Sequence, residues 1–261
     1  MHYRAIVRIL GLLIALFSVT MIPPAVVSLI YQDGSGLPFT LAFFICVGGG
    51  MVLWYPNRQQ KNDLRAREGF LIVALFWSVL ARVGAIPLML LEQPSMTVTD
   101  AFFESFSGLT TTGATVIEGI DFLPHSVQFY RQQLQWLGGM GIIVLAVAIL
   151  PILGVGGMQL YRAETPGPVK DNKMTPRIAD TAKHLWYIYL SITIACAAAY
   201  WLAGMDMFDA ICHAFSTVAI GGFSTHDASL GYFNSPMVNV VCTVFLLIAA
   251  LNFSLHYACL L

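Results

Sequence analysis

The chain has 261 residues, of which 57% are hydrophobic and 10% charged, and its formal net charge is −1. A water-soluble domain carries charged side chains at roughly a quarter of its positions. Most of this surface must therefore meet lipid, which excludes a soluble globular domain. The five cysteines are scattered through apolar sequence without a CxxC pair, so neither a disulfide framework nor a cysteine metal site is predicted.

Six apolar runs are long enough to cross a bilayer, which takes about 20 residues of helix. They are continuous rather than alternating, which favours α-helices over a β-barrel. We therefore predict an all-α polytopic membrane protein, in which the first run is a retained helix and not a cleaved signal. The runs lie at about 6–31, 37–55, 69–91, 129–153, 184–204 and 235–257.

The basic residues are concentrated in alternate connections between these runs. The N-terminus, the connection at 56–68 and the connection at 154–183 carry two, four and five of them, which is 11 of the 13 in the chain. Nine of the 14 acidic residues lie on the opposite side. Because cytoplasmic loops are enriched in Lys and Arg, we predict that both termini are cytoplasmic.

Two connections, at about 92–128 and 205–234, are too long for turns and too apolar for solvated loops. Such segments are typical of re-entrant loops, because irregular backbone at membrane depth occurs only where protein or a water-filled path covers it. The two connections also resemble each other at a constant spacing along the chain, which indicates an internal repeat. The aligned positions are Asp100-Ala101 with Asp209-Ala210, Phe106-Ser107 with Phe215-Ser216, and Gly113 with Gly222.

The sequence thus divides into a helix pair and a repeated unit of helix, pore loop and helix. The predicted boundaries are 1–60 for the N-terminal helix pair, 61–155 for the first repeat and 156–261 for the second. In each repeat, Asp100 or Asp209 is predicted as the N-cap of a half-helix of about two turns. The carboxyl end of each half-helix carries partial negative charge and would point toward a cation.

Each predicted half-helix is followed by a short uncharged segment, which we call a filter loop. Such segments offer backbone carbonyl oxygens, which replace the water around a monovalent cation, and glycine permits the backbone angles that align them. The first filter loop is Thr110, Thr111, Thr112, Gly113 and Ala114, and the second is Ala219, Ile220, Gly221, Gly222 and Phe223. We predict that a dehydrated monovalent cation binds at Thr111, Thr112, Ile220 and Gly221; ordinary turns between spans are the alternative.

Three motifs in this chain resemble the Trk/Ktr/HKT superfamily of potassium transporters over the whole length. They are DAFFESFSGLTTTGAT at Asp100–Thr115, WLGGMGI at Trp136–Ile142 and AFSTVAIGGFST at Ala214–Thr225. The resemblance implies that carbonyls around one glycine per repeat form the selectivity filter, with Gly113 and Gly222 at those positions.

The resemblance also implies potassium as the transported substrate, no organic cofactor on the chain and a bacterial inner-membrane location. It further implies a homodimer gated by a cytoplasmic nucleotide-binding regulatory subunit (TrkA-like). In related plant transporters a serine at the first filter glycine admits sodium, so Gly113 favours potassium over a sodium or mixed-cation specificity. No cluster of catalytic side chains is evident, and an enzyme is not predicted.

Superfamily members surround one pore with four repeats, whereas this chain has two. We expect either a fragment of a protein about twice as long or an assembly of two copies around one pore. A non-conducting assembly or scaffold subunit is the alternative from a different functional class. Whether transport is channel-like or coupled as symport is left open.

Several single residues have two interpretations. Arg82, near the middle of the third run, either tunes the ion path or forms a structural pair, with Glu104 or at the interface. The acids Glu118, Asp121 and Asp227 either line an attracting vestibule or are simply solvated.

The glycine run at 138–141, together with Gly154, Gly156 and Gly157, predicts close helix packing or a hinge. The basic linker at 154–183 sets the topology and is a candidate docking site for the regulatory partner.

Overall fold

The computed structural model describes residues 3–59, 66–141 and 178–251. All regular elements in these ranges are helices, which confirms the predicted fold class. Short 3-10 turns connect some of them. The α-helices are α1 (Tyr3–Ser18), α2 (Ile22–Tyr31), α3 (Gly36–Trp54), α4 (Ala66–Met89), α5 (Val98–Leu109), α6 (His125–Gly139), α7 (Ile178–Leu202), α8 (Met207–Val218) and α9 (Pro236–Ala250).

Within the described ranges, three segments are long and apolar enough to cross a membrane: Tyr3–Tyr31, Gly36–Asn57 and His184–Leu202. The first of them is not one straight helix, because a 3-10 turn at Val19–Met21 separates α1 from α2. The cause is the prolines at the start of α2, since proline lacks an amide hydrogen and its ring clashes with the carbonyl one turn earlier.

The N-terminal helices pack closely through glycine. A Cβ atom placed on Gly11 of α1 would lie 2.8 Å from the carbonyl oxygen of Gly50 in α3, and one on Gly50 would lie 2.6 Å from the Gly11 oxygen. The backbones of α1 and α3 therefore touch without intervening side chains, as small residues permit in membrane helices. Helix α4 packs on α1 and precedes the first pore loop in the chain.

The fourth predicted span differs from the structure. Its helix begins at His125, four residues earlier than predicted, and ends at Gly139. Gly141 has φ of +60°, and three glycines within four residues give this point the lowest helix propensity short of proline. The remainder of that span, and 154–177 of the cytoplasmic linker, lie outside the described residues.

Two apolar cores flank α6, which packs against both α5 and α8. The first core is built from α1, α3, α4, α5 and α6, and includes Phe17, Phe39, Leu88 and Tyr130. The second core is built from α7, α8 and α9, and includes Tyr189, Tyr200, Val218 and Val238. Helix α6 thus stands between the two pore loops, with one face toward each repeat.

Candidate ion-binding site

The two half-helices are α5 and α8, and each has 12 residues. Their N-caps are Thr97 and Asp206, whose side chains accept hydrogen bonds from the backbone amides of Asp100 and Asp209. The prediction that Asp100 and Asp209 are the caps is therefore wrong by three residues, and the half-helices run for three turns rather than two. Both acids instead lie in the first turn, where a carboxylate favours the positive end of the helix dipole.

The carboxyl ends of α5 and α8 close in the same way. The amide of Thr111 donates to the Gly108 oxygen at 3.0 Å, and the amide of Thr112 donates to the Ser107 oxygen at 2.9 Å. This pair of bonds is a Schellman motif. The equivalent bonds in the second repeat run from Ile220 to Thr217 at 3.0 Å and from Gly221 to Ser216 at 2.9 Å. The carbonyls of Ser107, Gly108, Ser216 and Thr217 are therefore used in closing the two half-helices.

Both filter loops then follow the same unusual backbone path. Thr111 and Ile220 have φ of 55° and 54°, and Gly113 and Gly222 have φ of 76° and 87°. Left-handed backbone is strained for β-branched residues such as Thr and Ile, at about 1–3 kcal/mol each. The aligned positions of the two loops therefore agree in backbone geometry as well as in sequence.

The two filter loops touch each other. A Cβ atom placed on Gly113 would lie 2.0 Å from the carbonyl oxygen of Gly221, whereas one on Gly222 would meet nothing within 4 Å. Gly113 is therefore fixed by both backbone angle and space, but Gly222 by backbone angle alone. Thr110, Thr112, Ala114, Ile220 and Gly222 are exposed, whereas Ala219, Gly221 and Phe223 are buried.

Each half-helix holds the segment that returns from its filter loop through one polar side chain. In the first repeat, the Thr115 hydroxyl lies 3.0 Å from both carboxylate oxygens of Glu104. The position equivalent to Glu104 in the second repeat is His213, whose Nε2 lies 3.0 Å from the Ser224 hydroxyl. A carboxylate and an imidazole thus perform the same anchoring task in the two repeats.

Arg131 of α6 joins the two return segments. Its side chain is completely buried, and its Nε donates to Glu104 Oε1 at 2.7 Å. Its other nitrogens donate to the Thr115 hydroxyl at 3.0 Å and the Ser224 carbonyl at 3.3 Å. The guanidinium also lies over the Phe223 ring, 4.4 Å from its centre. The predicted pairing of Glu104 with Arg82 is wrong, because Glu104 pairs with Arg131 and Arg82 is exposed.

Further along α6, Gln135 supports the second filter loop from behind. Its Oε1 accepts hydrogen bonds from the Ser216 hydroxyl at 2.9 Å and the Phe223 amide at 3.0 Å. One turn on, Cβ atoms at Gly138 and Gly139 would lie 1.9 Å from the Leu109 oxygen and 2.7 Å from the Ala219 Cα. The close-packing interpretation therefore holds for these two glycines, against the ends of both half-helices.

Two of the three acids that follow the filter loops, Asp121 and Asp227, form hydrogen bonds between the two repeats. Asp227 Oδ1 accepts from the Ile120 amide at 3.1 Å, and the Asp227 amide donates to Asp121 Oδ2 at 3.2 Å. These bonds join the loops that follow the two filter loops, so the interpretation of Asp121 and Asp227 as merely solvated is wrong. Glu118 is exposed.

Arg131, Gln135 and their neighbours were not among the residues predicted from sequence, although a signal for them exists. Five polar or charged residues fall in or beside the fourth predicted span, and all are buried in the structure: Gln128, Arg131, Gln132, Gln133 and Gln135. Intramembrane polar residues are costly and usually face a functional interior. Their partners lie up to 113 residues away in sequence, which is why the sequence could not pair them.

Two contacting loops of the same backbone geometry, each on a half-helix of an all-α membrane protein, are typical of cation transport proteins. The chain matches the TrkH family, described as a cation transport protein, over residues 36–261. This chain is a member of the TrkH family. That assignment agrees with the prediction that it is not an enzyme.

The relatives support the same assignment. The chain is 67% identical over 258 residues to the Trk system potassium uptake protein TrkH of Vibrio parahaemolyticus, covering 99% of this chain and 53% of that protein. It is 66% identical over 260 residues to the protein of the same name from Escherichia coli K12, covering 100% of this chain and 54% of that protein.

The crystal structure of the potassium transporter TrkH from Vibrio parahaemolyticus superposes with a TM-score of 0.85 at 61% identity. It covers 99% of this chain, and this chain covers 52% of it. The chain therefore spans about half the length of the relatives it matches.

Proposed function

We propose that this chain forms part of the pore of a potassium uptake protein, with the filter-loop carbonyls as the ion ligands. The observation that carries the proposal is the pair of filter loops: the same Schellman closure and left-handed angles occur twice, and the loops meet at Gly113 and Gly221. A carbonyl-lined path selects a monovalent cation by replacing its water. The proposed potassium ligands are the backbone oxygens of Thr111, Thr112, Ile220 and Gly221.

The surroundings of the filter loops suit this role. Strained backbone persists where surrounding contacts enforce it. Here α6 supplies those contacts, because Arg131 and Gln135 bind the filter and return segments from the buried side. The ends of α5 and α8 add partial negative charge near the path. Several residues of the filter loops, among them Thr112 and Ile220, are exposed, as a cation path requires.

Uptake would be driven by the membrane potential, which contributes about 2.3 kcal/mol per elementary charge per 100 mV. The relatives are named as proteins of a Trk system, which supports a multi-component assembly. We propose that a nucleotide-binding regulatory subunit of the TrkA type gates the pore from the cytoplasm, on a homodimer. The distribution of Lys and Arg supports an N-terminus on that side.

Proteoliposome uptake of radioactive rubidium under an inside-negative potential tests the proposal. Two samples are compared: this chain alone, and a chimera in which it replaces the matching N-terminal half of the Vibrio parahaemolyticus relative. In the chimera, Gly113→Ala should lower uptake by about tenfold or more, equivalent to about 1.4 kcal/mol, because its Cβ would collide with the Gly221 oxygen.

Gly48→Ala is the matched control, since a Cβ there would meet nothing within 4 Å. Uptake by the chain alone would mean that copies assemble a pore by themselves. A chimera that folds but takes up no rubidium would contradict a pore function and favour an assembly or scaffold role. Sodium uptake equal to rubidium uptake would replace potassium selectivity by a mixed-cation specificity.

A further inference from the structure

His226 lies where the outer loops of the two repeats meet, and its side chain is 13% exposed. One ring nitrogen, Nδ1, contacts Asp121 Oδ1 in the loop after the first filter loop. The other, Nε2, lies 3.1 Å from Asp209 Oδ2 in the first turn of α8. The imidazole therefore bridges two carboxylates that belong to different repeats.

The two contacts of the ring call for two hydrogen-bond donors. A neutral imidazole has one N–H group, whereas an imidazolium has two. Because an ionised carboxylate only accepts hydrogen bonds, both contacts form together when the ring carries both protons. We propose that His226 is a positioning residue that, as an imidazolium, holds the outer ends of the two filter loops in register.

The neighbouring contacts connect this bridge to the filter loops. Asp209 also accepts from the Thr225 hydroxyl at 2.7 Å, and the His226 amide donates to the Ser224 hydroxyl at 3.1 Å. Both partners follow Phe223, the last residue of the second filter loop. The ring of Tyr232 stacks on the imidazole, with 3.4 Å between the ring centres and an angle of 7° between the ring planes.

The other titratable groups nearby are consistent with a protonated ring. The Asp227 carboxylate accepts from Ile120, and Asp206 caps α8 beside Asp209. His213 lies 6.5 Å away and bonds the Asp209 carbonyl and the Ser224 hydroxyl. Asp121 has its pKa lowered, first by the hydrogen bond from His226 and then by the Asp227 amide.

The pH dependence follows from the number of donors. At low pH both bonds are present and stabilise the folded state. As pH rises and the ring loses a proton, one nitrogen presents a lone pair to a carboxylate and that bond is lost. The stabilisation therefore declines once the ring has become neutral.

The test is thermal unfolding of the purified full chain in detergent from about pH 5 to about pH 8, the range in which an unperturbed histidine changes its charge. Wild type should lose several degrees of Tm as pH rises, relative to a His226→Gln variant. Glu118→Gln, a change at an exposed carboxylate that takes no part in the bridge, should keep the wild-type profile, and Asp121→Asn should flatten it as His226→Gln does. Identical pH profiles for wild type and His226→Gln would overturn the proposal.

If His226→Gln does not fold, nitrogen NMR of wild type with labelled histidine decides the matter. The His226 signal should show an imidazolium with two protonated nitrogens at pH 6, and a neutral ring there would overturn the proposal. The effect on transport rests on the proposed function: uptake by the chimera should fall with rising pH more steeply than in its His226→Gln form. Because unfolding and NMR need no transport, failure of the pore function and failure of the His226 bridge are distinguishable.

Discussion

At the scale of single residues, Arg131 carries a positive charge into a space that is closed to solvent. Its side chain and that of Glu104 are both 0% exposed. A buried pair is not in itself strongly stabilising, because desolvation offsets the attraction, but removing one partner leaves a buried charge uncompensated. The pair therefore makes the packing between the repeats specific to this arrangement of the two filter loops.

We expect Arg131→Met to lower the free energy of unfolding by about 3–5 kcal/mol, because the Glu104 carboxylate then remains buried without its cation. The combined Arg131→Met and Glu104→Gln variant should recover part of this loss. Unfolding of the purified chain in detergent measures both. Strictly additive losses in the double variant would contradict a direct pair, and Arg82→Gln serves as the control at an exposed arginine.

The same residue illustrates how far sequence reasoning reaches. Charges inside apolar runs are visible in the sequence, and their cost makes them notable. The sequence favours Arg82 because it lies in the middle of a span, yet Arg131 is the arginine that meets Glu104. The pairing depends on how α5 and α6 face each other, and no local pattern encodes that.

At the scale of elements, the half-helices show why their N-caps lie three residues before the predicted ones. Thr97 and Asp206 each precede an acid by three residues, a spacing close to that of a capping box. The Thr97 hydroxyl both accepts from the Asp100 amide at 3.2 Å and donates to the Asp100 carboxylate at 2.7 Å. The sequence contains two candidate caps per half-helix, and the backbone entry angle selects the earlier one.

Replacing Thr97 with alanine should therefore destabilise the protein by about 1 kcal/mol, the usual value of a side-chain N-cap. Thr97→Ser retains the hydroxyl and should be nearly neutral. Thermal or denaturant unfolding of the variants distinguishes them. A loss of the same size in Thr97→Ser would show that the threonine methyl, and not the cap, is responsible.

At the scale of the whole molecule, the N-terminal helices are fastened to the first repeat by polar contacts. Asp33, between α2 and α3, accepts the Ser126 amide at the start of α6 at 2.8 Å. Gln133 of α6 donates to the Thr20 carbonyl at 3.0 Å. Partial burial acts to raise the pKa of Asp33, but hydrogen bonds from Ser28, Ser126 and Ser35 outweigh it and lower the pKa.

This lowered pKa predicts a loss of stability in acid. The contribution of Asp33 is complete above the ordinary carboxyl pKa of about 3.9 and is lost as pH falls through the lower pKa of the folded state. Asp33→Asn should therefore lower Tm at pH 7 and narrow its difference from wild type toward pH 3. Glu118→Gln, at an exposed carboxylate, is the control, and a pH-independent difference for Asp33→Asn would contradict the assignment.

The sequence by itself determined the class of the protein, the all-α fold and the duplicated pore loop. Each of these features depends on a short stretch of sequence. The stretches are apolar runs of membrane length and a repeat in which Gly113 and Gly222 occupy the same position of each unit. Membrane insertion depends on composition within one segment, and glycine is the residue that adopts the left-handed backbone of Gly113 and Gly222 most readily. Both can be recognised without knowing what packs against them.

Only the tertiary structure decided which side chains hold the filter loops. Arg131 and Gln135 act on segments 16 to 93 residues away, and the His226 bridge joins residues 105 apart. Gly113 differs from Gly222 only through the oxygen of Gly221 that lies against it. Such contacts depend on the mutual placement of helices, and low-dielectric packing determines their strength, so they follow from the fold rather than from any local stretch of sequence.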